Sequence, residues 1–328
     1  MKKKIALVTG GYSGEAQISY KSAITIYNNL DKEKYDVYKI DVNPEGWYYE
    51  DENGMKTAVS REDFTLSLSG TLIKFDAIYI GMHGTPGEDG KLQGYFDMLK
   101  LPYTSCDAAT SALTFNKRYT VAVAAMAGIP VAKSVHLFKH TGYSVDAILS
   151  QLKLPVFVKP NNGGSSIGMS KVNEAGQLTE ALEKAFKEDN QVLVEEMITG
   201  REFTIGAFRS KGEITVLPIT EIISQKEFFD FEAKYQGASS EITPADIPSE
   251  WKEQLEATTK KIYDVFNCRG VVRTDFIYNA EQNKAYMLEI NTIPGQTEAS
   301  VIPQQVRAMG GNLKDFYTAL VEEALQRS

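Results

Sequence analysis

The sequence predicts an α/β (α+β) protein whose amino-terminal domain is a doubly wound parallel sheet. Three observations carry that prediction. Apolar strands alternate with helical stretches through the first third of the chain, which is the pattern of a parallel sheet with helices on its faces. Two glycine-bearing loops, Gly10-Gly11-Tyr12-Ser13-Gly14-Glu15 and His83–Gly90, fall at the carboxyl ends of two of those strands, where such sheets bind ligands. Later strands are joined by polar turns and read as hairpins.

Taken in order, Lys4–Thr9 reads as a short apolar strand, Glu15–Leu30 as a helix and Tyr35–Asp41 as the next strand. Phe75–Met82 is a further strand and Gly90–Leu99 a helix. After a change in composition near Tyr103–Thr114, Lys117–Ala127 is helical and stops at Gly128-Ile129-Pro130. A strand (Ser134–Phe138), a helix (Ser144–Leu152) and a strand (Pro155–Lys159) lead into the turn Pro160–Met169, rich in Gly and Ser. Val192–Met197 is a strand, and Thr199–Ile205 opens another that pairs with Glu213–Glu221. The aromatic, non-periodic segment Glu227–Ser240 reads as a long functional loop. Helix Ser249–Phe266 precedes a hairpin from Arg273 to Gly295, and helical stretches from Val301 and from Asn312 close the chain.

A length of 328 residues implies two or three domains. A net charge of −8 argues against a general nucleic-acid binder but leaves room for a local phosphate pocket. Apolar runs such as Val121–Ala127 are too short to span a bilayer, so no membrane partner is expected. Lys2-Lys3-Lys4 precedes an apolar run that ends at once in Thr9-Gly10-Gly11, the pattern of a first strand and not of a leader. Cys106 and Cys268 are the only cysteines, far apart and without metal-ligand spacing, which suits a reducing, cytoplasmic setting. His83, His136 and His140 form no zinc motif.

The hairpin carries the chemistry. Side chains alternate along a strand, so Arg273 and Asp275 share a face, as do Glu289 and Asn291. The polar connection Asn279–Lys284 lets the two strands pair, and Asp275, Glu289 and Asn291 then converge. An isolated acidic pair at a hairpin end is ordinarily just solvated. Here the neighbours are Leu288, Ile290, Ile293 and Phe276, and polar groups in such strands need partners. Three oxygen ligands beside a cationic arginine suit Mg²⁺ and something phosphorylated, which makes an ATP-using enzyme the first hypothesis.

Other segments agree with it. Lys159 precedes a turn able to lay backbone N–H groups and hydroxyls on a phosphate, although a plain flexible hairpin has the same composition. The turn differs from Gly-x-x-x-x-Gly-Lys-Ser/Thr, because the lysine comes first and no helix follows. The first loop lacks Gly-x-Gly-x-x-Gly, which counts against a dinucleotide-dependent oxidoreductase. Glu195-Glu196 at a strand end could bond an adenine amino group or a ribose hydroxyl, or could simply be exposed. Glu15 at a helix start is more often a dipole complement than a ligand, and His83 alone is as easily structural.

Read together, Glu15, His83–Gly90 with Leu92-Gln93-Gly94, Lys159 with Gly164–Val172, and Glu289–Gly295 resemble the D-alanine–D-alanine ligase family of the ATP-grasp superfamily. The segments fall in family order from Val8 to beyond Ser300. The resemblance implies an ATP-grasp fold behind the amino-terminal sheet, with domains at 1–105, 106–196 and 197–328. It implies ATP-dependent joining of two D-alanine molecules through an acyl phosphate, for a peptidoglycan precursor, by a cytoplasmic homodimer. Lys117 and Lys159 would contact ATP phosphates, and Glu195 and Glu202 the adenine or ribose; Ser166, Glu196, Ile198, Phe229 and Lys234 would complete the nucleotide site. Asp275, Glu289 and Asn291 would hold two Mg²⁺ ions, with Mn²⁺ as an alternative. Glu15, Ser165 and Tyr235 would close over the first D-alanine near His83. Arg273 and the Gly295 N–H would face the reacting carbonyl, and Ser300, Val301 and Lys234 the second substrate. Phe229, Gly163 and Met197 depart from residues found in some relatives, and none removes a catalytic group. D-lactate or D-serine as second substrate, and a nucleotide-binding regulator without catalysis, remain the alternatives.

Overall fold

A computed structural model describes residues 1–164, 166–224 and 239–327. Three larger sheets organise them, beside a two-stranded one formed by Leu66–Leu68 and Thr71–Ile73. The first has the order Lys56–Ala58, Gly46–Glu50, Tyr35–Asn43, Lys3–Gly10, Ala77–Ile80. The last three strands in this order are parallel, as predicted, and the first two extend one edge as an antiparallel meander that sequence reading missed. Alternation places Ile5, Leu7 and Tyr79 on one face and Ala6, Val8, Ile78 and Ile80 on the other. Helix Ala16–Asn29 covers the first face through Ala23 and Ile26. Helix Lys91–Met98 covers the second through Leu92 and Phe96.

The second sheet is antiparallel, in the order Ser170–Val172, Val156–Pro160, Gln191–Glu196, Ser134–Phe138. It has its own core. Helix Leu178–Glu188, which sequence reading passed over, repeats apolar residues at helical spacing and buries Leu178, Ala181, Leu182 and Ala185 against Val156, Val158 and Val194. The expected helix Ser144–Leu152 is shorter, Val145–Leu149, with the Ser144 hydroxyl accepting from the Ala147 N–H.

The third sheet runs Ser239–Ile242, Thr220–Ser224, Arg201–Ser210, Val271–Asn279, Lys284–Asn291, with Glu213–Val216 also on Arg201–Ser210. The expected single strand Glu213–Glu221 is therefore two. Pro218 has no N–H to give to a ladder, and the chain steps between its two pairings there. The predicted loop Glu227–Ser240 lies mostly outside the described residues, and Ser239 and Ser240 belong to a strand. Helix Ser249–Val265 packs Leu255, Ile262 and Tyr263 beneath this sheet. Ala124, on helix Lys117–Met126, joins the same core.

A further core unites the two ends of the chain. Ile5, Leu7 and Tyr79 of the first sheet pack with Phe208 and Val271 of the third, and with Ile302, Tyr317 and Leu320 from helices Val301–Ala308 and Leu313–Leu325. Each such apolar side chain contributes roughly 1.5–3 kcal/mol by leaving water. The cysteines, far apart in sequence, meet in the interior. Contact with Cys106, together with burial, pushes the Cys268 thiol well above its ordinary range.

Candidate active site

The strands Val271–Asn279 and Lys284–Asn291 pair with Arg273 opposite Asn291 and Asp275 opposite Glu289, and a bulge follows Asp275. This register produces the predicted convergence. Arg273 donates from Nε to Asp275 Oδ1 and from Nη2 to Oδ2, each at 2.9 Å. Its Nη2 lies 3.9 Å from Glu289 Oε1. Asn291 Nδ2 donates to Asp275 Oδ2 at 3.3 Å and to Glu289 Oε1 at 3.4 Å. Burial works against the charge on Arg273, but Asp275 first, then Glu289 and Glu88, outweigh it and hold the guanidinium more firmly protonated.

Thr204, which sequence reading missed, completes the cluster. The third sheet sets it opposite Asp275 on the neighbouring strand, and its hydroxyl donates to Asp275 Oδ1 at 2.5 Å. Two carboxylates and one amide are hard oxygen donors of the kind that suit Mg²⁺, so the residues present fit the ion that the resemblance implies. Among the described residues no group of three His, Cys, Asp or Glu side chains offers a competing centre.

A cavity of about 550 Å³ opens over this hairpin. Of the predicted residues, Glu15, His83, Lys117, Glu202, Arg273, Asp275, Glu289, Asn291, Gly295, Ser300 and Val301 line it. Glu88, from the loop His83–Gly90, lines it as well, as do Lys21 and Glu241, which nothing in their local sequence singled out. Lys159, Ser166, Glu195, Glu196 and Ile198 do not line this cavity. Ser165, Phe229, Lys234 and Tyr235 lie outside the described residues.

Three loops meet at Glu15. A Cβ built on Gly84 would fall 2.8 Å from Glu15 Oε2, and one on Gly164 would fall 3.2 Å from Oε1. The two strand-end loops and the glycine-rich turn therefore close on one carboxylate. His83 beside it is buried and fully bonded: Nδ1 is 3.0 Å from the Ile293 carbonyl and Nε2 is 3.0 Å from Ser22 Oγ. A carbonyl only accepts, so Nδ1 carries the hydrogen. Ser22 Oγ already accepts from the Gln296 N–H at 3.2 Å, and its own hydrogen is left for Nε2. Glu88 Oε1 lies 3.7 Å from Nδ1. At the far end of the cavity, Gly295 packs against Ser300, whose Oγ accepts from the Thr297 N–H at 3.0 Å.

One lysine opens a helix and the other lies on the second sheet. Lys117 Nζ donates to the Gly163 carbonyl at 2.7 Å, which ties helix Lys117–Met126 to the glycine-rich turn. Lys159 Nζ and Glu195 Oε2 form a mostly buried ion pair at 2.5 Å. Successive strand residues face opposite ways, so Glu196 points elsewhere and accepts from the Lys153 N–H at 2.8 Å. Sequence reading had grouped Glu195 with Glu196; the sheet separates them.

A two-sheet grip, an antiparallel lysine-bearing sheet on one side and a carboxylate-bearing hairpin on the other, defines the ATP-grasp class of ligases. Models of the D-ala D-ala ligase N-terminus and C-terminus match residues 4–106 and 123–322. Relatives named D-alanine–D-alanine ligase include one from Parabacteroides distasonis, 45% identical with 99% of this chain and 98% of that protein aligned. Another, from Flavobacterium johnsoniae, is 46% identical over 98% and 99%. Among solved structures, a D-Ala:D-Ser ligase from Enterococcus faecalis superposes with a TM-score of 0.88 at 31% identity, covering 99% of this chain and 100% of that one. A D-alanine–D-alanine ligase from Bacillus anthracis complexed with ATP gives 0.80 at 27%, covering 99% and 98%. The chain belongs to the D-alanine–D-alanine ligase family.

Proposed function

We propose that this protein joins two D-alanine molecules into D-alanyl-D-alanine at the expense of ATP, releasing ADP and phosphate. The observation that carries the reading is the Arg273–Asp275–Glu289–Asn291 cluster over a cavity, in a chain aligned end to end with ligases of that name. A carboxylate is a poor electrophile. The first D-alanine carboxylate therefore attacks the γ-phosphorus of ATP, forming an acyl phosphate and ADP. The amine of the second D-alanine then attacks the acyl carbon through a tetrahedral oxyanion, the amine loses a proton and phosphate leaves.

Phosphoryl transfer depends on positioning and charge neutralisation. Lys117 and Lys159 hold the phosphates, and Glu195, which pairs with Lys159, contacts the adenine or ribose together with Glu202. Ser166, Ile198, Phe229 and Lys234 complete the nucleotide site, with Glu196 contributing through its backbone, since its side chain is held by the Lys153 N–H. Asp275, Glu289 and Asn291 would hold Mg²⁺ or Mn²⁺, two ions in all, which supplies further charge neutralisation when bound. Glu15 takes the ammonium of the first D-alanine, with Ser165 and Tyr235 closing over it and His83 fixing the loop beside it. Arg273 and the Gly295 N–H stabilise the oxyanion, each well-placed donor worth about 3–4 kcal/mol. Ser300, Val301 and Lys234 receive the second substrate. The turn around Ser165 excludes water from the acyl phosphate.

We assign the product to peptidoglycan precursor synthesis, the enzyme to the cytoplasm, its assembly to a homodimer and its domains to 1–105, 106–196 and 197–328. The free cysteines support the compartment, and the separate core of the second sheet supports a central domain. The superposition on a D-Ala:D-Ser ligase makes D-serine the competitor to exclude. Phosphate release is measured with ATP, Mg²⁺ and D-alanine, D-serine or D-lactate, and products are identified by mass. D-alanyl-D-alanine is expected to dominate. A mixed dipeptide or an ester formed faster overturns the substrate assignment, and no phosphate release with any D-amino acid leaves a nucleotide-binding regulator.

A further inference from the structure

Asp275 is saturated with protein donors. Its Oδ1 accepts from Thr204 Oγ1 at 2.5 Å and Arg273 Nε at 2.9 Å. Its Oδ2 accepts from Arg273 Nη2 at 2.9 Å and Asn291 Nδ2 at 3.3 Å. A carboxylate offers about four lone-pair positions, and each has a partner here. Both side chains are largely covered, Asp275 at 12% exposure and Arg273 at 22%, so water does little to weaken the pair.

A cation that takes an oxygen of Asp275 must displace one of these donors. Thr204 is buried and held opposite Asp275 by strand pairing. Asn291 need only turn its amide over to present oxygen in place of N–H. Arg273 is the obstacle, because it makes two parallel charge-assisted bonds and repels a second cation at the same carboxylate. It is also the donor that the reaction needs elsewhere, at the acyl carbonyl.

We propose that Arg273 and a divalent cation compete for Asp275, so that the arginine fork is released toward the reacting carbonyl only as the cation site fills. This rests on the reading of Asp275, Glu289 and Asn291 as cation ligands. The competition lowers affinity for a bare cation. It also makes the oxyanion donor available chiefly when a nucleotide-borne cation has arrived.

The test is Mn²⁺ binding, followed by the paramagnetic resonance of free Mn²⁺ without nucleotide, on wild type, Arg273→Met, Arg273→Lys and Asp275→Asn, after a melting curve for each. Arg273→Met is expected to bind Mn²⁺ about tenfold tighter or more, because two charge-assisted bonds no longer oppose it. Arg273→Lys keeps the charge but loses the two-pronged geometry, and is expected to bind tighter than wild type though less tightly than Arg273→Met. If Arg273→Lys matches wild type while Arg273→Met binds tighter, simple charge repulsion accounts for the difference and the fork competition is overturned. Equal binding by all three arginine-site proteins overturns it as well. Asp275→Asn separates the underlying reading: undiminished Mn²⁺ binding there removes Asp275 from the cation site altogether.

Discussion

The imidazole of His83 reaches the carbonyl of Ile293 at 3.0 Å across 210 positions of sequence. One hydrogen bond thus fastens the loop after the strand Ala77–Ile80 to the turn that presents Gly295. His83→Ala leaves this carbonyl and the Ser22 hydroxyl without their partner in a buried setting, which costs about 1–3 kcal/mol. The melting temperature is expected to fall and the KM for D-alanine to rise, with ATP affinity much less affected. Steady-state kinetics and a thermal melt measure both, and unchanged values for D-alanine would remove His83 from the substrate loop's support.

Glu289→Gln keeps the side chain's size and removes one of the two carboxylates of the Arg273–Asp275–Glu289–Asn291 cluster. The residue is 37% exposed at its side chain, so stability should change by no more than about 0.5 kcal/mol. Phosphate release should be abolished all the same, because a hard cation binds an amide far less well than a carboxylate. Near-normal turnover by this variant would show that the cation is held elsewhere.

Gly270→Ala should be among the most damaging single changes at a residue that does not line the cavity. The backbone there has φ of +60°, and a Cβ would drive into the Thr104 carbonyl oxygen. Backbone strain and the clash together should cost about 3 kcal/mol or more. Gly212→Ala is the control, with φ of +84° but open space around it; it should cost only about 1–2 kcal/mol. Urea denaturation compares them, and equal losses would refute the clash.

Asp76 supplies a pH signature. Burial tends to raise its pKa, but the Lys4 N–H at 2.8 Å and the Lys3 ammonium at 2.9 Å outweigh that and hold the carboxyl below its usual range. A folded pKa below the unfolded one means stability that is fully present above the unfolded value of about 3.9 and lost as pH falls through the folded value. Asp76→Asn should therefore melt below wild type at neutral pH, and the gap should close as the pH drops below 4 or so. A gap that stayed constant down to strongly acidic solution would count against the ion pair.

Alternation along two strands and a polar turn between them were enough to foresee that Arg273, Asp275, Glu289 and Asn291 share a surface, because the pairing is local. Partners brought in by distant strands were not legible. Thr204 meets Asp275 through a pairing spanning 71 positions, and Lys159 meets Glu195 across 36. Neither contact leaves a periodic trace in the chain. The same holds for the meeting of Cys106 with Cys268 and for Glu88, whose place in the cavity depends on how a loop folds back. The split at Pro218 was readable in principle, since proline inside a strand argues against continuity. Family likeness, not periodicity, supplied Lys234 and Tyr235, and these lie outside the described residues.

The core that joins Leu7 to Leu320 bears on how the chain is made. During synthesis the first strand leaves the ribosome long before the helix Leu313–Leu325 exists, and until then one face of the amino-terminal sheet is covered only by helix Ala16–Asn29 and lacks the rest of its apolar cover. The opening segment must wait, solvated or chaperoned, for the closing one. Loss of the last helix would therefore be felt first at the other end of the protein, as exposure of Ile5 and Leu7 on the face of the first sheet.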